Sequence, residues 1–511
     1  MNKVNIAGLG TIDRVGQVVM PRLDFRFSDP IPLAKRLVSE YKVGGFIIFG
    51  GDKRSVKNAT KELNSISGSP LLFGLDAERG VGQIISDATL FPFTMSLGAA
   101  RDEELVDDEA RFIAQEMREC GLNLIFAPVL DVNTNPDNPI INIRAYGDDP
   151  ALVSRLGGAF IRGVQEGGIL ACAKHFPGHG GTGVDSHEDM PVLDTTLERL
   201  NSCNLVPFKY AVESDVAALM TAHVAFPGIV KASIPSTISE VIVKGILRRD
   251  MGYGGLVITD SFHMSGINKI GGEADNSHLA LTAGCDVILD PGDPVTLLTK
   301  LNDMALTGEL SENTLNTSVG RIVSAKNRLL NASVPQMSAD ARIGRGILER
   351  ISGNSICRLK GGELRSRSAL VSIFDLTQSG EGVSNAFTDV LRRAGVDYRT
   401  VPVTFSTGPD NLLVISKGYE ALVSIIYTTV GAWKKQSSLP EFFRTVLNEL
   451  AALDAETALL SFGSPYVVRG LERFDTVICA FDSMDACQSA AAEVLLGGMS
   501  AKGRMPVDTG F

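Results

Sequence analysis

The sequence predicts an α/β chain: an N-terminal (β/α)8 barrel of the TIM type over residues 1–330, a linker over 331–365, and a smaller C-terminal α/β sandwich over 366–511. Three observations predict it. Short apolar runs alternate with longer helical patterns through the first 330 residues. Several of those runs are continuous in apolarity, the mark of strands buried on both faces. At 511 residues the chain also exceeds one core, since single cores stop growing at roughly 250–300 residues.

The runs are "VGQVVMPRL" (15–23), "VGGFIIFGG" (43–51), "PLLFGLDAE" (70–78), "NLIFAPVLDV" (123–132), "GILACAKHF" (168–176), "VAALMTAHV" (216–224), "GGLVITDSF" (254–262) and "GCDVILDPG" (284–292). Helical patterns lie between them. In "DDPALVSRLGGAFIRGVQEGG" (148–168), Asp149 is placed to cap and Pro150 sits at the first turn. Eight β-then-α units suggest a closed barrel; a doubly wound open sheet is the alternative. Residues 331–365 carry little apolar periodicity. Beyond them "SALVSIF", "DYRTVPV", "DNLLVIS", "ALVSIIY", "TALLSFG" and "DTVICAF" read as short strands, with "SNAFTDVLRRAG" and "PEFFRTVLNELAALD" as helices between.

Hydrophobic residues make up 44% and charged residues 21%, an ordinary globular balance. The 48 basic and 59 acidic side chains leave a net charge of −11, which argues against a nucleic-acid binder. No stretch of 18 apolar residues appears, and the start lacks the long apolar core of a signal peptide. The seven cysteines are scattered and sit mostly in apolar contexts, so buried reduced thiols are expected. Together these features predict a cytoplasmic protein with no membrane contact.

In a (β/α)8 barrel, polar residues at the C-terminal strand ends point into the active site. Here those ends read Asp76, Asp131, Lys174–His175, His223, Asp260 and Asp290. A core strand has no structural use for a charge there, so a functional cleft is expected. Asp290, followed by Pro and Gly, can equally serve to shape a turn.

"KHFPGHGGTGVDSHEDMP" (174–191) holds three of the six histidines, His175, His179 and His187. His175 and His179 have the spacing of a helical zinc pair, but Pro177, Gly178, Gly180, Gly181 and Gly183 oppose a helix. No Cys cluster supports a metal, and the glycines match no phosphate loop. Asp185 and His187 stand two apart, so in an extended loop the carboxylate can orient the imidazole as a general acid/base. Glu188 and Asp189 follow, and their charge favours the imidazolium. Asp260, at the end of "GLVITD", can act as a carboxylate nucleophile or as a helix cap. An acid opposite a carboxylate nucleophile is the arrangement for retaining glycoside hydrolysis.

That segment, with "GLVITDSFHMSGI", "FGLDAERGVGQ", "FAPVLDVNTNP" and "RAYGDDP", resembles the family 3 glycoside hydrolases, in their β-N-acetylglucosaminidase branch. "LLSFGSPY" (459–466) and "AAAEVLLGGMSAKGRMPV" (490–507) resemble that family's second domain. The resemblance implies Asp260 as the nucleophile, His187 as the acid/base and Asp185 as its partner. It implies Asp76, Arg144, Lys174 and His175 as substrate-binding residues. The implied reaction is release of terminal β-linked N-acetylglucosamine from oligosaccharides or cell-wall muropeptide fragments. A β-glucosidase, β-xylosidase or glycoside phosphorylase on the same scaffold is the alternative.

Two departures stand out. Gly181 replaces an Asp common in the family. Val81 and Ile84 stand where the branch pattern D-x-E-G-G-R-V-x-R has arginines, and Arg79 arrives early. The expected partner is a carbohydrate substrate, with no cofactor, no metal and no nucleic acid. The second domain carries no obvious catalytic acid, which leaves it scaffolding or a homodimer contact.

Overall fold

The computed structural model describes residues 8–184, 190–231, 233–332, 338–377, 385–407, 409–429 and 439–511. The chain divides into two compact units. The first holds residues 1–91, 106–132 and 153–344.

Its strands form an all-parallel ring. Strand β1 comes in two pieces, Val19–Met20 and Arg22–Asp24, separated at Pro21, which has no N–H to give to a ladder. There follow β2 (Gly45–Phe49), β3 (Leu72–Leu75), β4 (Leu124–Ile125), β5 (Leu170–Phe176), β6 (Ala218–Thr221), β7 (Leu256–Thr259) and β8 (Ile288–Leu289). Strands pair in sequence order from the second piece of β1 to β7. The first piece of β1 pairs instead with β8, Val19 opposite Ile288. The bridge between Ile258 and Val287, and the bond from Phe262 N–H to the Leu289 carbonyl (2.9 Å), join β7 to β8. The eight strand positions therefore close.

The apolar runs are continuous because each strand is buried on both sides: β3, β5, β6 and β7 are buried throughout. Inside the ring, Gly74 makes room for Phe126; a Cβ there would lie 2.7 Å from that ring. Around the ring run helices, among them Lys53–Ile66, Glu103–Glu119, Pro150–Glu166, Glu273–Ala283 and Glu312–Asn331. The fully buried carboxylate of Asp286, just before β8, accepts from Arg248 (2.6 Å), Arg321 (2.9 Å) and the Val257 N–H (2.9 Å). A buried charge so surrounded ties the outer helices to the strands.

The second unit holds residues 92–105, 133–152 and 345–511. The first two stretches belong here because Met95, Ala99 and Ile143 enter a core with Leu370, Phe374 and Leu422. The Asp148 N–H bonds the Pro506 carbonyl (3.1 Å), and the Arg504 N–H bonds that of Ala99 (2.9 Å). Residues 331–365 hold the end of Glu312–Asn331, the helix Ala341–Ser355 and β9 (Cys357–Lys360).

The sheet adds β10 (Ser368–Asp375), β11 (Asp397–Val403), β12 (Ala421–Tyr427), β13 (Glu456–Phe462) and β14 (Thr476–Cys479), in the order β9-β14-β13-β12-β10-β11. Only β9 runs antiparallel. Consecutive residues face opposite sides of the sheet. Leu370, Leu422 and Leu459 therefore pack with Leu412, Phe443 and Leu447, while Val371, Val423 and Leu460 pack with Phe387, Leu391 and Leu495. Two apolar layers explain why "ALVSIIY" reads as unbroken.

"DNLLVIS", expected as a strand, is the helix Pro409–Ser416. A short apolar run does not separate strand from helix by periodicity. Here the i, i+4 pair Leu412 and Ser416 is buried, and the Ser416 hydroxyl bonds the Leu412 carbonyl (2.8 Å). Among the described residues no helix is long and apolar enough to cross a membrane.

Candidate active site

The strand ends of the barrel gather the first unit's chemistry. β3 ends at Leu75, which sets Asp76 and Glu78 just beyond it, and β5 carries Lys174 and His175 in its last three residues. The Lys174 ammonium, 4% exposed, donates to Asp76 Oδ1 and to Glu78 Oε1, each at 2.7 Å. The Asp76 side chain is 31% exposed and Glu78 only 7%, so Asp76 keeps the more open carboxylate. The Lys174–His175 and Phe176–Pro177 peptides are both cis.

His175 turns to another carboxylate. Its Nδ1 lies 2.7 Å from Asp131 Oδ2, which also accepts its backbone N–H (3.3 Å). Asp131 Oδ1 accepts the N–H of His179 at 2.5 Å. Burial pushes the Asp131 carboxyl up, but His175 and His179 outweigh it, and the group lies below the usual carboxylate range. His179 is buried, and its Nδ1 contacts the Thr182 hydroxyl at 2.7 Å. Burial holds that imidazole down at about 4, against the pull of Asp131. It is therefore a neutral structural ring at neutral pH.

Asp260 directly follows β7. Its N–H bonds the Thr221 carbonyl (3.1 Å), and its Oδ1 accepts the Ser261 N–H (2.8 Å). Its charge is felt by both His179 and His223. His223, past the end of β6, contacts the Ser261 carbonyl through Nε2 (3.2 Å) and the Thr237 hydroxyl through Nδ1 (2.8 Å). A carbonyl only accepts, so Nε2 carries the proton. Burial lowers this ring's basicity too, which suits a neutral tautomer.

Asp290, past β8, makes a two-point ion pair with Arg22 of β1 (2.7 and 2.8 Å) and accepts the Ser261 hydroxyl (2.7 Å). Its φ of 54° is left-handed, as a turn-shaping residue requires, yet its side chain is also engaged.

The loop with the two apolar departures has its own logic. Val81 is fully buried, and Phe91 packs edge-on against Phe112. Arg79 bonds the Phe91 carbonyl through Nε (2.9 Å) and faces Glu109, a fully buried acid that burial pushes up to about 8.

Of the sequence-predicted residues, Asp76 and Lys174 meet directly. His175 meets Asp131, and Asp260 lies within electrostatic reach of His179 and His223. Arg144 belongs to the second unit, where it closes the short turn Asn142–Arg144 and bonds the Ile140 carbonyl (2.8 Å). Asp185 and His187 lie outside the described residues. Among the described residues no group of three or more His, Cys, Asp or Glu side chains could hold a metal. Glu78 and Ser261 went unassigned in the sequence, although Glu78 stands two residues from Asp76 in an extended segment.

Similarity to known proteins joins this geometry. The profile of the glycosyl hydrolase family 3 N-terminal domain matches residues 11–325. The chain belongs to glycosyl hydrolase family 3. A solved family 3 β-N-acetylglucosaminidase from Paenibacillus sp. str. FPU-7 is 31% identical with a TM-score of 0.85, over 98% of this chain and 99% of that one. Beta-hexosaminidase A of Pseudoalteromonas piscicida is 31% identical over 382 residues, 68% of this chain and 62% of that protein. The chain therefore matches less than two thirds of that relative's length. A beta-hexosaminidase of Thiobacillus denitrificans is 37% identical over 265 residues, 50% of this chain and 73% of that protein. The family 3 fold has its two α/β parts in this chain, a parallel barrel and a second sheet domain.

Proposed function

We propose that the chain is a retaining exo-β-N-acetylglucosaminidase that releases terminal β-linked N-acetylglucosamine from oligosaccharides or cell-wall muropeptide fragments. The observation that carries this reading is Asp260 at the mouth of the barrel, with one oxygen fixed by the Ser261 N–H at 2.8 Å. The β-hexosaminidase and β-N-acetylglucosaminidase relatives support the choice of sugar.

Reaction runs in two displacements. Asp260 attacks the anomeric carbon as the glycosidic C–O bond breaks, and His187 delivers its proton to the departing oxygen. The product is a glycosyl ester on Asp260. Neutral His187 then takes a proton from water, whose oxygen attacks the anomeric carbon. The ester bond breaks, Asp260 leaves as a carboxylate and His187 is again imidazolium. Two inversions return the β configuration. Asp185 orients His187. Asp76 accepts sugar hydroxyls, and the Lys174 ammonium holds it beside Glu78. His175 is aimed at the sugar by Asp131; Arg144 keeps a sugar-binding role on the family resemblance alone.

A panel of p-nitrophenyl β-glycosides, with and without phosphate, tests the reading. The N-acetylglucosaminide should be cleaved in preference to the glucoside and xyloside, with N-acetylglucosamine as product in both buffers. Preference for glucose or xylose contradicts the sugar assignment; a sugar 1-phosphate contradicts hydrolysis.

A further inference from the structure

We infer that Asp290 and Arg22 are positioning residues for the nucleophile: their ion pair fixes Ser261, and Ser261 fixes Asp260. The inference rests on the proposed role of Asp260.

Asp290 is 1% exposed and sits in the left-handed region, where a residue other than Gly is uncommon. Such a conformation persists when surrounding contacts over-determine it. The Asp290 N–H bonds the Met20 carbonyl (2.9 Å), Arg22 grips both carboxylate oxygens, and Oδ2 also takes the Ser261 hydroxyl at 2.7 Å. Ser261 is then held at four points. Its hydroxyl donates to Asp290 and accepts the His263 N–H (3.2 Å). Its carbonyl accepts from His223, and its N–H donates to Asp260 Oδ1. With the hydroxyl proton turned to Asp290, the backbone N–H of Ser261 is the group it presents to Asp260.

Charge matters as much as position. Ser261 bonds to both Asp290 and Asp260, so the Asp290 carboxylate alone would oppose ionisation of the nucleophile. Arg22 neutralises it through a bidentate pair, the strong form of such contacts. The other groups facing this region are Asp24, which pairs with Arg26 (2.6 Å) and lies 3.8 Å from Arg22, and, around Asp260, His179, His223 and the Cys172 thiol, with His175, Lys174 and Asp76 beyond them. Arg26 offsets Asp24, Lys174 is paired with Asp76 and Glu78, and burial favours the neutral form of the His179 and His223 rings. The Arg22–Asp290 pair is thus the adjustable charge beside the nucleophile.

The two halves of the pair should act in opposite senses on the acidic limb of the kcat/KM profile, which follows ionisation of Asp260. Arg22→Met leaves Asp290 uncompensated, and the limb should move to higher pH by about 0.5–1 unit. Asp290→Asn leaves Arg22 uncompensated, and the limb should move down by a similar amount, with kcat reduced roughly tenfold or more and KM changed less. Arg22→Lys keeps the charge and should return the limb to the wild-type position. A general loss of structure would move both limbs together. Limbs that shift in the same direction, or do not shift, overturn the inference. Should Asp290→Asn not fold, Arg22→Met decides alone: an upward shift supports the inference and an unmoved limb overturns it. Failure of the nucleophile assignment is separate, because Asp260→Ala would then stay active.

Discussion

The Lys174 ammonium lies 2.7 Å from Asp76 Oδ1, although their strands, β5 and β3, are separated in the ring by β4. The pair therefore spans the strand between, at the mouth of the barrel. The same ammonium meets Glu78, so one buried cation holds two carboxylates.

Lys174→Met should break both contacts and take the ammonium away from Asp76 and Glu78. Removing one partner of a buried pair costs about 3–5 kcal/mol. We expect a loss of about that size in chemical denaturation, with kcat/KM for the N-acetylglucosaminide falling at least a hundredfold, about 2.7 kcal/mol of transition-state stabilisation. A variant of wild-type stability would contradict the role given to this contact.

Asp131→Asn is nearly the same shape but carries the wrong hydrogens. Both Asp131 oxygens accept, Oδ2 from His175 and Oδ1 from the His179 N–H. An amide must turn its NH2 toward one of those donors. The cost should be about 2–4 kcal/mol at pH 7, for a lost charge-assisted bond and a donor left unpaired. Because the Asp131 carboxyl lies below its unfolded value, its contribution is full above about pH 4 and is lost as pH falls further. The variant should lack that last acid-dependent step in equilibrium unfolding.

His179 governs a higher window. It is neutral in the fold down to about pH 4, whereas an unfolded imidazole takes a proton near 6.5. The unfolded state thus binds more protons between those values, and stability falls as pH drops through them. The ceiling is about 3 kcal/mol. His179→Gln cannot titrate and should flatten the slope of unfolding free energy between pH 6.5 and 4. His223, also depressed, leaves a slope of the same sign behind.

Much of this was legible in the sequence. Continuous apolar runs marked strands buried on two sides, and charges at their ends marked the mouth of the barrel. Contacts between distant segments were not legible. Nothing local in "LDPGD" shows that Asp290 closes on Arg22, 268 residues earlier. The entry of Met95 and Ile143 into the second core depends on packing that no periodicity records. "DNLLVIS" failed for another reason: seven residues hold too little of either period to tell helix from strand.

Lys326 lies far from this chemistry but should respond to pH. It is fully buried, donates to Gln17 Oε1 (2.6 Å), and burial lowers it to about 7. An unfolded lysine stays protonated to about 10.4. Between those values the unfolded state binds more protons, so stability rises with pH. Lys326→Met should remove that rise, while leaving Gln17 Oε1 without this donor, which offsets about 1–3 kcal/mol of what removal of the buried amine returns. A thermal unfolding series from pH 6 to 10 reads it directly.

The central claim is that Asp260 carries the sugar between the two displacements. Incubation with a 5-fluoro N-acetylglucosaminyl fluoride should trap that ester, since the fluorine slows its hydrolysis more than its formation. Intact mass should rise by one sugar unit, and peptide mapping should find the addition on Asp260 in "GLVITDSF". A label on another residue, or turnover with no covalent adduct and an inverted product, would contradict the account.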